Sequence, residues 1–110
     1  MRIYAIALEM VRSIIRLARI VREHDPDLAR QMVTAATSVP LNMQEGLYSL
    51  GGNRNARFHN SMGSARETMS CLHVCVCCEY LKQAEVDTDL DRLDHIIGGL
   101  WNLSRKKSPR

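Results

Sequence analysis

The chain has 110 residues, of which 45% are hydrophobic and only 5% aromatic. This composition predicts one domain with a helical core and argues against an all-β fold. The net charge is +3 but unevenly distributed, with arginines concentrated in residues 1–22 and acids in residues 79–95. No stretch is long and uncharged enough to span a membrane, and none reads as a targeting peptide, so we expect a cytoplasmic protein.

The first predicted element is an amphipathic helix over residues 2–24. Apolar residues recur there every three or four positions, which is typical of one buried helical stripe. Another face of the same helix carries Arg12, Arg16 and Arg19. Asp25 is a suitable N-cap and Pro26 a suitable first residue for the helix that follows.

The second helix is predicted from residue 26 to the high 40s, and Pro40 interrupts it. Proline removes a backbone hydrogen bond and crowds the preceding turn, so a kink is expected near residues 36–40. The glycine-containing segment 49–55 reads as a loop, with Asn53 as a plausible cap for the third helix.

The third helix is predicted over about residues 54–83. Asp87 or Thr88 is expected to cap a fourth helix that ends near residue 104 and leaves a basic tail at 105–110. Because short turns between long helices make neighbours antiparallel, the predicted fold is an all-α, up-down-up-down four-helix bundle over residues 1–104.

Four cysteines lie within eight residues, which does not resemble a disulfide framework. Cys71, Cys75 and Cys78 share one helix face, whereas Cys77 lies on another. Structural zinc sites usually draw their ligands from two chain segments, so small apolar core residues with reduced thiols are the preferred interpretation. A redox role for this cluster is left open.

Catalytic motifs are lacking from the sequence. The four histidines are scattered, and none lies in a metalloprotease or serine-nucleophile motif. The paired glycines at 51–52 lack the lysine and hydroxyl residue of a phosphate-binding loop. We therefore predict no catalytic residue, no metal and no cofactor.

Two polar pairs stand out on the second and third helices. Each pair is spaced by three residues and so lies on one helix face. Two such glutamates resemble half of a di-iron site, but the Glu-x-x-His half is missing. We predict instead a largely buried structural network that satisfies backbone groups freed by Pro40, formed by Asn42, Glu45, Ser64 and Glu67.

The arginine stripe Arg12–Arg16–Arg19 has two interpretations besides that of a solvated helix face. It can contact phosphates of a nucleic acid, or it can meet the acidic segment 85–94 of a neighbouring subunit and form a heterologous interface. No aromatic platform accompanies the stripe, which argues against base-specific recognition of single strands.

The run LARQMVTAATSVPLNMQEG, followed by NRNARFHNSMGSARETMSCL and EYL, resembles the four-helix bundle proteins related to those encoded in intervening sequences of bacterial 23S ribosomal RNA. Those proteins carry a run like Q-[LI]-R-R-A-A-x-S-[IV]-P-x-N-[IL]-A-E-G, then an aromatic residue, G-S-x-x-E and a Y-L ending. The matching positions are Gln31, Ala35, Ala36, Ser38, Val39, Pro40, Asn42, Glu45, Gly46, Phe58, Gly63, Ser64, Glu67, Tyr80 and Leu81.

The resemblance covers about residues 1–104. It implies a four-helix bundle, a ring-like homo-oligomer that is most plausibly a pentamer, and no known enzymatic activity. Relatives in diversity-generating retroelements bind nucleic acid and a reverse transcriptase as accessory proteins. Here Val33 and Thr34 replace the family's paired arginines, which removes one basic patch, and the cysteine cluster is particular to this chain.

Two functions are therefore carried forward. The first is a non-enzymatic scaffold that assembles with itself into a ring. The alternative is an accessory protein that binds RNA or DNA.

Overall fold

The computed structural model describes residues 1–106 and contains four α-helices joined by short connections. These are α1 (Arg2–Arg22), α2 (Pro26–Leu47), α3 (Gly51–Cys77) and α4 (Gln83–Arg105). α1 and α3 each pack against both α2 and α4. With connections of only three to five residues, consecutive helices run antiparallel, and the predicted four-helix bundle is confirmed.

The core follows the apolar periodicity of the sequence. Ala7, Met10, Ile14 and Val21 of α1 are fully buried, as a stripe with spacings of three and four residues predicts. Phe58 of α3 is the largest fully buried side chain and lies in one continuous apolar cluster with residues from all four helices. Methionines, which adapt their shape to irregular gaps, fill much of the remaining space: Met10, Met32, Met43 and Met62.

The start of α2 is as predicted, and the proline in its interior does not divide the helix. Asp25 is the N-cap, and its carboxylate accepts a hydrogen bond of 3.0 Å from the Leu28 amide. α2 continues through the buried Pro40 to Leu47 as one helix. The bend expected near residues 36–40 stays a prediction.

Both boundaries of α3 differ from the sequence prediction. α3 begins at Gly51, inside the segment expected to be a loop, because Gly51 adopts a φ of 64° that redirects the chain into the helix. Leu50 is the N-cap, so the prediction for Asn53 is wrong; the Asn53 side-chain amide donates to the Ser49 hydroxyl instead. α3 ends at Cys77 rather than near residue 83.

The end of α3 is set by a left-handed residue. Glu79 has a φ of 64°, and the Tyr80 amide donates back to the Cys75 carbonyl at 2.9 Å. Together with the Glu79 amide bonding the Val76 carbonyl at 3.0 Å, this is the hydrogen-bond pattern of a Schellman motif. A glutamate in that position gives no glycine-like signal, which is why the sequence did not predict the stop.

α4 also begins earlier than predicted. The Lys82 amide donates to the Glu85 carboxylate at 2.8 Å and Lys82 is the N-cap, so the predicted caps Asp87 and Thr88 lie inside the helix and are wrong. The predicted basic tail begins at Arg105, which is still helical, and residues 107–110 lie outside the described part of the chain. Within residues 1–106, no helix is both long and apolar enough to cross a membrane.

Candidate functional site

The arginine stripe of α1, Arg12, Arg16 and Arg19, is exposed along its whole length. The i, i+4, i+7 spacing places the three arginines on one face of α1, and that face lies opposite the buried stripe. Within residues 1–106 none of the three guanidinium groups has a carboxylate within ion-pair distance, whereas Arg92, Arg30 and Arg57 each do. The stripe is therefore a solvent-facing strip of unneutralised positive charge.

An acidic face on α4 has the same spacing. Asp87, Asp91 and Asp94 stand at i, i+4 and i+7, and all three are exposed. Only Asp87 has a hydrogen bond inside the described chain, a 2.8 Å contact from the Gln83 side-chain amide. The acidic face therefore has the same length as the arginine stripe and the opposite charge.

Contacts between α1 and α4 fix the relative heights of the two charged strips. The Ser13 hydroxyl donates to the Asp89 carboxylate, and Gly99 lies so close to Ile3 that an added Cβ would be 2.8 Å from the Ile3 side chain. These pairs are level along the bundle axis. By the same register, Arg12 is level with Asp91 and Arg16 with Asp87, within about one residue's rise of ~1.5 Å.

The polar network predicted for α2 and α3 does not form as a buried unit. Glu45 is exposed and pairs with Arg57 at 3.0 Å, and Glu67 is exposed as well. The half-buried Asn42 donates to the Ser38 carbonyl of its own helix at 3.0 Å. Ser64 is half-buried, and its carbonyl accepts from the Thr68 hydroxyl at 2.8 Å.

The predicted burial of Glu45 and Glu67 is therefore wrong. Spacing by three residues places a glutamate on the same side of its helix as its partner, but it does not decide whether that side faces the core. A structural contribution of these residues stays a prediction. The cross-helix contact beside Pro40 comes instead from the buried Ser61, whose hydroxyl donates to the Val39 carbonyl at 2.7 Å.

A polar network that the sequence reasoning missed lies between α1 and α4. Asp89 is 1% exposed, accepts from the Ser13 hydroxyl and forms a 3.0 Å ion pair with Arg92. Arg92 also lies 3.8 Å from Glu9 of α1. The signal was present in the periodicity, because Asp89 falls between Val86 and Leu93 on the buried face of α4.

Arg54 is a second buried charge, 6% exposed, at the end of the bundle where α3 begins. Its guanidinium carbon lies 4.8 Å from the centre of the Phe58 ring, a favourable cation–π geometry. The Arg54 Nε atom is buried without a hydrogen-bond partner in the described chain.

The cysteines divide into two pairs. Cys71 and Cys75 are buried, as predicted, whereas Cys77 and Cys78 are exposed and do not belong to the core. Burial, followed by the nearby Cys71, Cys78 and Asp25, raises the pKa of Cys75 to about 11, and burial together with Glu67 raises the pKa of Cys71. In residues 1–106, no three His, Cys, Asp or Glu side chains are grouped closely enough to hold a metal ion.

A groove lies where the end of α1 meets the start of α2. It has a volume of about 400 Å³ and is lined by Arg22, Pro26, Arg30, Val33 and Thr34. Two guanidinium groups from different helices therefore border one open cavity. The sequence reasoning missed it because Arg22 lies just outside the arginine stripe and Arg30 lies on the other helix.

The fold and the surfaces define the class of protein. It is an all-α four-helix bundle with charged outer surfaces and, within residues 1–106, without a group of side chains that could hold a metal ion. The family model of the 23S rRNA-intervening sequence proteins matches residues 1–102, so the chain belongs to that family. This confirms the resemblance inferred from the SVPLNMQEG run and the GSARE segment.

A solved structure supports the same fold. The crystal structure of a protein of unknown function from the S23 ribosomal protein family of Bacteroides thetaiotaomicron superposes with a TM-score of 0.86 at 16% identity, covering 94% of this chain and 99% of that one. No curated protein matches this chain significantly. Neither the family's description nor that of the solved structure names an enzymatic activity.

Proposed function

We propose that this protein is a non-enzymatic scaffold that assembles with itself into a closed ring. The observation that carries the proposal is the pair of matched strips, the arginine stripe on α1 and the acidic face on α4. The two strips differ in position on the surface, so a contact between them is heterologous and joins successive copies in one direction. Such a contact closes into a ring if the rotation between copies allows it.

Two charges of each strip have a common height, which supports the ring over an open filament, whereas Arg19 and Asp94 have no level counterpart in the other strip. In a cyclic assembly whose axis follows the bundles, equivalent atoms of all copies lie at the same height. Arg12 of one copy then faces Asp91 of the next, and Arg16 faces Asp87, without a shift along the axis. Five copies is the size that the family resemblance implies.

Charge reversal tests this interface. Light scattering is expected to give a mass near five times 12.5 kDa for the wild type and a smaller mass for R12E/R16E or D87K/D91K. The variant with all four substitutions is expected to recover the wild-type mass, because each reversed arginine again faces an opposite charge. R66E changes an exposed arginine on α3 and is expected to leave the mass unchanged.

A monomeric wild type would refute the assembly proposal. An intact oligomer in both reversed variants, with circular dichroism unchanged, would instead refute this interface and leave assembly through another surface.

Nucleic-acid binding is the second candidate function. It is favoured by the absence of any acid partner for the arginine stripe within the described chain, because unneutralised arginines at helical spacing can release counterions from a phosphate backbone. Where a ring is held together by another surface, the stripe stays exposed and each copy adds a phosphate contact, which multiplies a weak interaction.

Titration with a structured RNA at two salt concentrations tests this candidate. Binding is expected to weaken steeply between low and moderate salt and, with R66E as the control, to be lost in R12E/R16E. Binding that is insensitive to salt, or that survives in R12E/R16E, would contradict a phosphate contact by the stripe.

A further inference from the structure

The groove between α1 and α2 has the size of a ligand-binding site. Its volume of about 400 Å³ falls in the range of small-molecule sites. Its lining combines two cationic side chains, one hydroxyl and an apolar surface. This combination differs from the arginine stripe, which is an open helix face without a cavity.

The hydrogen-bonding groups of the groove are mostly uncommitted. In the described chain, neither the Arg22 guanidinium nor the Thr34 hydroxyl has a partner, whereas the hydroxyls of Thr37 and Ser38 in the same helix donate back to main-chain carbonyls. Arg30 pairs with Asp27 at 3.0 Å, but both side chains are more than two-thirds exposed. Such an exposed pair is weak and does not prevent Arg30 from turning to another anion.

The charge of the groove favours an anion. All its side-chain polar groups are donors, apart from the hydroxyl, which can do both. Pro26 is the first residue of α2, so the positive end of that helix lies beside the cavity, with the Asp25 carboxylate as its cap. Within residues 1–106, the only carboxylate paired with a lining residue is that of Asp27, at the exposed rim.

The apolar part of the lining narrows the class of anion. Pro26 and Val33 offer a ring face and a branched side chain, and a bare inorganic anion would leave both without a contact. A planar heterocycle attached to a phosphate would use both kinds of surface. Guanidinium groups from two helices suit the phosphate, since arginine binds phosphate oxygens through paired N–H groups.

We propose that this groove is a binding site for a nucleoside 5′-phosphate. The phosphate lies between Arg22 and Arg30 and accepts from the Thr34 hydroxyl, and the base packs over Pro26 and Val33. The ligand is either a free nucleotide or one nucleotide of a strand, because both present the same chemistry. The site is separate from the proposed ring contact, since none of its residues belongs to the arginine stripe or the acidic face.

The test is a nuclear magnetic resonance titration of the ¹⁵N-labelled protein with adenosine 5′-monophosphate, adenosine and inorganic phosphate. The monophosphate is expected to shift amides between residues 22 and 34, with phosphate weaker and adenosine without effect. R22A and R30A are each expected to weaken binding about tenfold and T34V about fivefold. R66A, which removes an exposed arginine elsewhere, should leave the affinity unchanged.

Two results would overturn the proposal: adenosine binding as tightly as its monophosphate, or equal losses in R66A and R22A. A second titration with hexa-adenylate identifies the source of the ligand. Tighter binding of the strand than of the mononucleotide, still lost in R22A/R30A, assigns the groove to a nucleic acid. Binding of the mononucleotide alone assigns it to a free nucleotide. Because R22A/R30A retains Arg12 and Arg16, its light-scattering mass reports independently on ring assembly.

Discussion

Asp89 is the residue whose environment differs most from that of an ordinary surface acid. It is buried, and its partners Ser13 and Arg92 satisfy its carboxylate. Removing the Asp89 carboxylate leaves the buried Ser13 hydroxyl without its acceptor and Arg92 with only the 3.8 Å contact to Glu9. We therefore expect D89A to lower the free energy of unfolding by about 3 kcal/mol in urea titrations followed by circular dichroism.

Glu45 provides the matched control, because it also pairs with an arginine but on the surface. Exposed pairs contribute little, so E45A should cost less than about 1 kcal/mol. Equal losses in D89A and E45A would show that burial does not distinguish the two carboxylates. Measurements at several protein concentrations separate folding from any change in assembly.

The buried thiol of Cys75 makes the free energy of unfolding depend on pH. Its pKa in the folded protein is about 11, against 9.0 for an unperturbed thiol. The folded state therefore holds the thiol proton more tightly than the unfolded state. This contribution to stability is complete below pH 9 and is lost as pH rises from 9 to 11.

The expected measurement is an alkaline decline of unfolding free energy that becomes shallower in C75A. C77A, which alters an exposed thiol, should decline as the wild type does. Tyr80, whose pKa is also raised, adds to the decline in all three proteins, so only the difference between variants is diagnostic. Parallel curves for C75A and C77A would contradict the assignment.

The residues that sequence reasoning placed correctly are those governed by periodicity. Met10, Ile14 and Leu72 lie on apolar stripes and are fully buried. The burial of the polar residues was harder to predict, because a glutamate three positions from an asparagine has the same spacing whether the pair faces the core or water. Asp89 was missed for the opposite reason, since its charge outweighed its position on a buried stripe.

The packing of α2 against Phe58 of α3 depends on the missing side chain of Gly46. A Cβ added to Gly46 would lie 2.6 Å from the Phe58 ring, which is fully buried. G46A is therefore expected to lower the free energy of unfolding by about 1–3 kcal/mol.

Gly63 of α3 is the contrasting helical glycine, with open space where its Cβ would be. Alanine is the better helix former, so G63A should stabilise the protein by about 0.5–1 kcal/mol. Thermal unfolding of both variants tests the pair. The same sign of change in both would show that local helix propensity, rather than contact with Phe58, decides the outcome at Gly46.

The C-terminal end of α3 also depends on an unusual backbone conformation. Glu79 has positive φ, which costs a side-chain-bearing residue energy that glycine does not incur. E79G should raise the melting temperature, with a gain of about 0.5–1 kcal/mol after the greater freedom of glycine in the unfolded chain is subtracted. E79A keeps the Cβ and should show no such gain.

Helix existence was predictable here and helix boundaries were not. The periodic stripes extend over several turns, so each helix is specified many times. Each boundary depends on one or two residues, and three of them differ from the prediction. Leu50 caps α3 in place of Asn53, Lys82 caps α4 in place of Asp87 or Thr88, and α3 stops before Glu79 rather than near residue 83. The groove lined by Arg22 and Arg30 could not be read from either helix alone.

For the whole molecule, the topology follows from connection length. Three connections of three to five residues pair consecutive helices as antiparallel neighbours, α1–α2, α2–α3 and α3–α4. The contact of α1 with α4 closes the bundle. The last contact sets the heights of the two charged strips. It therefore links the register inside one subunit to the proposed match between subunits.

The contact of Ile3 with Gly99 also places the start of α1 beside the end of α4. The four helices thus form a closed cycle of neighbours, so the same helix pairs can form when the chain begins at a different helix. A circular permutant that joins the end of α4 to the start of α1 through a short flexible linker, and begins at Gly51 instead, keeps every helix pair. We expect it to fold with an unchanged helical spectrum, and a random-coil spectrum would show that the Tyr48–Leu50 turn itself is required.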